Sequence, residues 1–255
     1  MSALLEARGV TMTFGAFRAV DGADLDVAEG EIVGLIGPNG AGKSTFFNCL
    51  AGDYRPSAGS IRFQGREMAG ASPEAHAAAG IARTYQLPQT FEDMSVLENV
   101  MVGAFLRHRH AADARRAAAA VLERVGLAGR ASAPARSLGT PGRKRLEIAR
   151  ALATEPRLLL LDEALAGLTP SEVRAAIEIV RDIHRSGITI IIVEHIMEVI
   201  LTLAERVTVF HQGRVIARGT PGEVTADPQV IAAYLGRSLE RRRPEGPPQA
   251  PPEVR

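Results

Sequence analysis

Residues 37–45 carry the most explicit chemistry in the chain. Gly37, Pro38, Asn39, Gly40, Ala41, Gly42, Lys43, Ser44 and Thr45 fill the pattern G-x-x-x-x-G-K-[ST]. Such a loop has meaning only between a strand and a helix, and both flanks are present. The apolar run 31–36 precedes it, and an amphipathic stretch from Ser44 to Leu50 follows. Gly37, Gly40 and Gly42 let the backbone curl until successive N–H groups point inward, an anion nest continued by a helix N-terminus. Lys43 adds a point charge between the β- and γ-phosphates, and the Ser44 hydroxyl is a ligand for Mg²⁺. The loop implies a bound nucleoside triphosphate.

A second polar site lies at residues 157–163, where Leu158, Leu159, Leu160 and Leu161 run into Asp162 and Glu163. A continuous apolar run suits a parallel strand buried on both faces. Acids at its carboxyl edge then lie where open α/β sheets bind ligands. Asp162 is expected to hold Mg²⁺ through water. Glu163, on the other side of the strand, is expected to orient and deprotonate an attacking water. A further apolar run, 187–193, ends in Glu194 and His195. This sets the imidazole beside the acidic strand end, within reach of a γ-phosphate.

The elements that must hold these groups read as an α/β fold with a mainly parallel sheet. Up to Phe63 short strands and turns alternate. Ala23 to Val27 and Gly59 to Phe63 show period-2 alternation, as in an antiparallel sheet packed on a parallel core. From Ser95 to Leu152 the periodicity turns helical, with an alanine-rich stretch 111–125, and the chain returns to the core at Pro156. Strand-like pieces 206–210 and 214–217 flank a turn at His211, and one helix is expected over 222–235. Beyond Gly236, Arg241 to Pro244 and Pro247, Pro248, Pro251 and Pro252 read as disordered. The division is therefore a nucleotide-binding core at 1–86 and 155–236, a helical subdomain at 87–154 and a disordered tail at 237–255.

Composition narrows the class. The chain has 255 residues, 46% of them hydrophobic, yet no apolar run approaches the roughly 18 needed to span a bilayer. The N-terminus has no basic start or signal-peptide core. The single cysteine, Cys49, excludes an internal disulfide and reads as a buried apolar residue. A net charge of +1 gives no electrostatic case for nucleic acid.

Over about residues 4–236 these motifs resemble the ATP-binding cassette (ABC) ATPases that power membrane transporters. The resemblance rests on the phosphate loop, Arg83-Thr84-Tyr85-Gln86, the stretch from Leu146 to Leu152, Leu158 to Glu163, and Glu194-His195. It implies a P-loop NTPase core with an N-terminal antiparallel β-subdomain and an inserted α-helical lobe. By resemblance Phe14 stacks on adenine, Gln86 senses Mg²⁺ and the γ-phosphate, Glu163 is the catalytic base and His195 contacts the γ-phosphate. Ile36 to Lys43, Phe47-Asn48-Cys49-Leu50, Gly80 to Gln86, Ala166 to Pro170 and Ala233-Tyr234-Leu235-Gly236 look most like cassettes of branched-chain amino acid importers. That implies an ATPase with ATP and Mg²⁺ as cofactors, lying peripherally on the cytoplasmic face of the inner or plasma membrane. It would dock on integral membrane permease subunits through Phe91 to Met94, with an extracytoplasmic substrate-binding protein acting indirectly. Cassettes of urea, amide or other amino acid importers are closely similar. A soluble ABC ATPase fits less well, because such relatives usually carry two cassettes or a long coiled-coil insertion.

One element departs from the family pattern. Leu138, Gly139, Thr140, Pro141 and Gly142 stand where the signature Leu-Ser-Gly-Gly-Gln is usual. Gly139 lacks the hydroxyl that would bond the γ-phosphate of a partner's ATP, and Pro141 lacks an N–H. Thr140-Pro141 still reads as a helix start, a capping hydroxyl followed by proline. Thr169 likewise replaces an aspartate common in cassettes. A defect at one site costs less than a defect at two. The sequence therefore favours a heterodimer with a second, intact cassette over a homodimer.

Overall fold

The computed structural model describes residues 3–240. It begins with a long antiparallel hairpin, β1 (Ala3–Phe14) and β2 (Phe17–Ala28). Leu5, Ala7 and Val10 of β1 and Ala23, Leu25 and Val27 of β2 are buried, so one face of the hairpin is apolar. β3 (Ile32–Ile36) leads into the phosphate loop and α1 (Lys43–Ala51). β4 (Ala58–Phe63) and the short β5 (Arg66–Glu67) extend the hairpin into a sheet ordered β2-β1-β4-β5. After α2 (Pro73–Ala79) and β6 (Ile81–Arg83) come three helices, α3 (Val96–Ala104), α4 (Ala111–Arg124) and α5 (Thr140–Leu152). The chain then alternates: β7 (Leu158–Asp162), α6 (Pro170–Arg185), β8 (Thr189–Val193), α7 (Met197–Leu203). It finishes with the hairpin β9 (Arg206–His211) and β10 (Arg214–Gly219), then α8 (Pro221–Ala226) and α9 (Pro228–Glu240).

The second sheet has the order β10-β9-β3-β8-β7-β6. Its pairs from β9 to β6 are parallel, and β10 is antiparallel to β9. All residues of β3, β7 and β8 are buried, because both faces are covered. Leu158 and Leu160 pack with Phe46 and Phe47 of α1 against the antiparallel sheet, whereas Leu159 and Leu161 pack toward the helices. The unbroken leucine run is thus a period-2 strand with two apolar neighbours. Cys49 lies inside this packing, and burial pushes its thiol up to about 11.

Helices α3 to α5 pack on one another. Ser95 opens α3 with a reciprocal capping box to Glu98, and Val96, Val100 and Ala104 face inward. Ala114, Ala118 and Leu122 of α4 repeat at helical spacing and are fully buried. Gly103 lets α3 touch α5 by backbone, since a Cβ there would lie 2.4 Å from the Arg150 carbonyl oxygen.

Several elements differ from the sequence expectation. The short α2, opened by Ser72 and Pro73 and closed by Gly80, is not among the elements expected from the sequence. The single helix expected over 222–235 is two, because Asp227 precedes Pro228 and is held extended, at φ −69° and ψ 121°. Its carboxylate accepts the N–H groups of Gln229 and Val230, restarting the helix. Residues 237–240, assigned to the tail, continue α9, since no proline intervenes before Pro244. Residues 241–255 of the expected tail lie outside the described residues. Thr140 is not a cap. Gly139 occupies the N-cap with φ −69° and ψ 175°, and no side chain caps that end. Thr169, by contrast, caps α6 in a box with Glu172.

The leucine strand makes a clear stability prediction. Leu161, fully buried, should cost about 2–5 kcal/mol when cut to alanine. Leu201, 53% exposed on α7, should cost no more than about 0.5 kcal/mol. Urea unfolding of the two variants measures the contrast, and equal midpoints would contradict the assignment of β7 to the core.

Candidate active site

Because β3, β8 and β7 are parallel neighbours, their carboxyl ends share one edge of the sheet. The phosphate loop leaves β3 at this edge, Asp162 and Glu163 end β7, and Glu194 and His195 follow β8. Gln86 follows β6, the next strand along.

The loop is held open by glycine. Gly37 has φ 146° and Gly42 φ 100°. A Cβ at these positions would meet the carbonyl oxygens of Phe210 at 2.1 Å and Ala19 at 2.4 Å. No other residue fits there. Lys43 is buried, and its Nζ donates to the carbonyls of Gly37 (2.7 Å) and Pro38 (3.2 Å). The turn before β10 braces the loop, with the Gly213 N–H donating to the Ala41 carbonyl at 2.9 Å. From α9, the Tyr234 hydroxyl lies against the Gly37 N–H. Beside the loop is a cleft of about 190 Å³ lined by Phe17, Ala19 and residues 40–45.

Glu163 sits just past β7 in a left-handed conformation, φ 47°, which costs a residue with a Cβ about 1–3 kcal/mol. Its backbone is tied on both sides. The N–H donates to the Val193 carbonyl at 2.9 Å. The carbonyl accepts from Lys144 Nζ at 2.9 Å and from the Ala166 N–H at 3.2 Å. Thus fixed, the carboxylate lies between two donors. Gln86 Nε2 donates to Oε2 at 2.6 Å, and His195 Nε2 donates to Oε1 at 2.5 Å.

Asp162 is buried against Arg83, whose Nη2 lies 3.2 Å from Oδ2. Burial raises this carboxyl above the ordinary range, and the guanidinium beside it pulls the other way. Arg83 also pairs with Asp53, donates to Asn48 Oδ1 at 2.8 Å and stacks over Tyr85 at 4.5 Å. Glu194 is buried too, and burial raises its carboxyl. One oxygen accepts the Leu165 N–H at 2.8 Å, and the other has no hydrogen-bond partner.

Among the described residues no group of three or more His, Cys, Asp or Glu side chains could hold a metal ion. At this edge the Glu163 carboxylate is held by Gln86 and His195 and that of Glu194 accepts the Leu165 N–H, which leaves the Ser44 hydroxyl, the Gln86 amide oxygen and the Asp162 carboxylate as metal-binding oxygens. That set is too small for an all-protein cage. It fits a hydrated Mg²⁺ shared with substrate phosphates.

The structure brings Gln86, Glu163 and His195 into direct contact and sets the loop, Asp162 and Lys43 at the same edge. It does not bring in the signature segment, for the cleft beside Lys43 is lined by none of residues 138–142. Gly139 and Thr140 are exposed at the start of α5. Phe14 does not line the cleft either; it meets Tyr54 edge-on at 5.7 Å. The ring at the cleft is Phe17, 66% exposed, three residues further on. Phe17 and Lys144 belong to no motif named above, and Arg83 stands in the Gln86 stretch without any sign there of its pairing with Asp162. The signal for Lys144 was compositional. The chain has only two lysines, and both are buried at this edge, donating to pairs of backbone carbonyls.

Comparison with known proteins follows the same lines. A family model described as ABC transporter matches residues 20–166, and one described as branched-chain amino acid ATP-binding cassette transporter matches residues 214–239. The chain is 38% identical over 251 residues to LivG of Salmonella typhimurium, a high-affinity branched-chain amino acid transport ATP-binding protein. The match covers 92% of this chain and 98% of that one. BraF of Pseudomonas aeruginosa, of the same description, is 39% identical over 256 residues with the same coverage. Among solved structures, a nucleotide-free ATP-binding cassette from an ABC transporter superposes with TM-score 0.84 at 29% identity, covering 91% of this chain and 99% of that one. The ADP conformation of such a cassette gives 0.84 at 29%, covering 92% and 100%.

Replacing Arg83 with methionine should leave Asp53 and Asp162 facing each other without their shared cation. The expected loss is about 3 kcal/mol in urea unfolding. Adding Asp162→Asn to that variant should recover part of the loss. No recovery in the double variant would mean that Arg83 acts through packing alone.

Proposed function

We propose, on the premise that the chain belongs to the ABC transporter family of ATP-binding cassettes, that it is the ATP-hydrolysing subunit of an importer for branched-chain amino acids. The hydrolytic reading is carried by one observation: the Glu163 carboxylate is held between Gln86 and His195 at the edge where the phosphate loop opens. The substrate class is supported by the relatives LivG and BraF and by the match at residues 214–239.

The roles follow from these positions. Backbone N–H groups of residues 37–45 and the start of α1 take the β-phosphate, and Lys43 bridges toward the γ-phosphate. Ser44, Gln86 and, through water, Asp162 would hold Mg²⁺, which would neutralise charge on the phosphate oxygens. The β1–β2 hairpin offers adenine two rings, Phe14 and Phe17. Gln86 and His195 each give up a contact to Glu163 when a γ-phosphate offers an oxygen instead. That exchange frees a carboxylate oxygen to take the proton of the attacking water. The base is therefore occupied until substrate displaces its two donors.

Partners are read from the surfaces. No helix among the described residues is long and apolar enough to cross a membrane, and separate permease subunits are the partners that the importer reading calls for. A groove of about 340 Å³ beside the Gln86 segment is lined by Tyr85, Gln89, Val102, Glu147 and Arg150 among others. Leu87 (74% exposed), Phe91 and Phe105 add exposed apolar surface nearby in sequence. A coupling helix of the permease lies here, at the cytoplasmic face. The signature segment, remote from its own cleft, completes the site of a second cassette, and its missing hydroxyl favours a heterodimer.

Glu163→Gln keeps the shape and removes the proton acceptor. ATP should still bind while turnover falls on the order of 10² or more. Lys43→Ala should instead lose ATP binding. Equilibrium binding and steady-state hydrolysis separate the two, and a Glu163→Gln enzyme with near-normal turnover would remove Glu163 from the role.

The altered signature gives an asymmetry test. A lost bond to a charged phosphate costs roughly 1.5–3 kcal/mol, or about 10- to 100-fold in rate. In the assembled transporter, mutating this chain's base should therefore cost more ATPase activity than mutating the partner's. Nothing lies closer than 3.9 Å to a Cβ built on Gly139, so Gly139→Ser should fold normally and speed the partner's site. If the partner's base proves dominant, or Gly139→Ser changes nothing, the heterodimer argument fails.

A further inference from the structure

Lys144 lies in the first turns of α5, two residues past the last signature position, Gly142, and is 8% exposed. Its Nζ donates to the Glu163 carbonyl at 2.9 Å and reaches the Gln86 carbonyl at 3.5 Å. One side chain thus spans the two segments whose side chains meet at the base. The same helix holds the Gln86 segment at two further points, each about a turn along. Glu147 is buried and accepts backbone N–H groups of Tyr85 and Gln89. Arg150 donates to the Gln89 carbonyl, pairs with Glu147 at 3.2 Å and lies 4.8 Å from the Phe91 ring.

The contact to Glu163 matters because of that residue's backbone. A left-handed glutamate has no intrinsic preference for its conformation, so the orientation of the following peptide rests on what its carbonyl meets. Without Lys144 only the 3.2 Å bond from Ala166 remains there. Rotation of that peptide turns Glu163 and moves its carboxylate away from Gln86 and His195. Burial disfavours the ammonium, and the carboxylates of Glu194, Glu163 and Asp162 offset this. The cation is therefore sustained by the site whose shape it fixes.

We infer that Lys144 is a positioning residue for hydrolysis, which pins the carbonyls of Gln86 and Glu163 from the signature helix and so holds the base and its amide donor in register. The inference rests on the ATPase reading above. Lys144 touches no reacting atom, and its work is done through the backbone of Glu163.

The test is steady-state ATP hydrolysis by the assembled transporter with this chain carrying Lys144→Met, Lys144→Gln or Lys144→Arg, and with thermal melting and fluorescent-ATP binding of each variant chain recorded. Lys144→Met should lower kcat by about 10- to 100-fold, the loss of one charged hydrogen bond. KM and nucleotide affinity should stay within about threefold. Lys144→Arg, which keeps charge and donors, should hold kcat within about fivefold of the parent. Normal kcat in Lys144→Met overturns the inference. So does a fall in kcat that tracks lost affinity and melting temperature and is not repaired by arginine. If the methionine variant does not fold, Lys144→Gln is judged by the same criteria. An assembled transporter whose unmutated cassettes show no ATPase activity overturns the ATPase reading itself, whereas an active one indifferent to position 144 sinks only this inference.

Discussion

Burial of β3, β8 and β7 on both faces is the constraint from which the rest of the structure follows. Each leucine, isoleucine or valine removed from water there contributes about 1.5–3 kcal/mol, and a charge placed among them would cost far more than it returned. Polar chemistry is therefore confined to the strand ends. Because these strands run parallel, the carboxyl ends coincide, and loops from distant parts of the chain open onto one edge. The phosphate loop, the acids after β7 and His195 after β8 meet for this reason.

That edge carries an acid cluster that must be compensated. Burial raises the carboxyls of Asp162, Glu194 and Glu147. Their folded values therefore lie above the unfolded ones, and each withdraws stability as pH rises through its folded value. Arg83 and Lys144 limit that cost by facing these groups. The left-handed Glu163 adds strain at the same place. Such concentrations of burial, charge and strain accompany sites that must be pre-organised.

Helix α5 ties this edge to the helical region. Its N-terminus is the exposed signature segment, and its buried face holds the Gln86 segment through Lys144, Glu147 and Arg150. Its close approach to α3 at Gly103 makes the helices a packed unit. The contacts from α5 to the Gln86 segment and to the Glu163 carbonyl therefore join the two regions through backbone groups.

By itself the sequence determined the phosphate loop, the leucine strand ending in Asp162 and Glu163, and the family. Those features are written in contiguous residues, since a phosphate nest or a buried strand needs neighbours along the chain. The period change at Ser95 likewise exposed the helical region. Tertiary structure alone decided the rest. Arg83 meets Asp162 across 79 positions and Gln86 meets Glu163 across 77, and no local pattern encodes such pairs. Which of Phe14 and Phe17 faces the cleft depends on how the hairpin lies against the loop. Whether Thr140 caps a helix depends on where α5 begins, and α5 starts at Thr140 itself, which puts the N-cap one residue earlier, at Gly139. Lys144 looks in sequence like one cation in a basic run. Only the fold turns it inward, where two carbonyls converge and water is excluded.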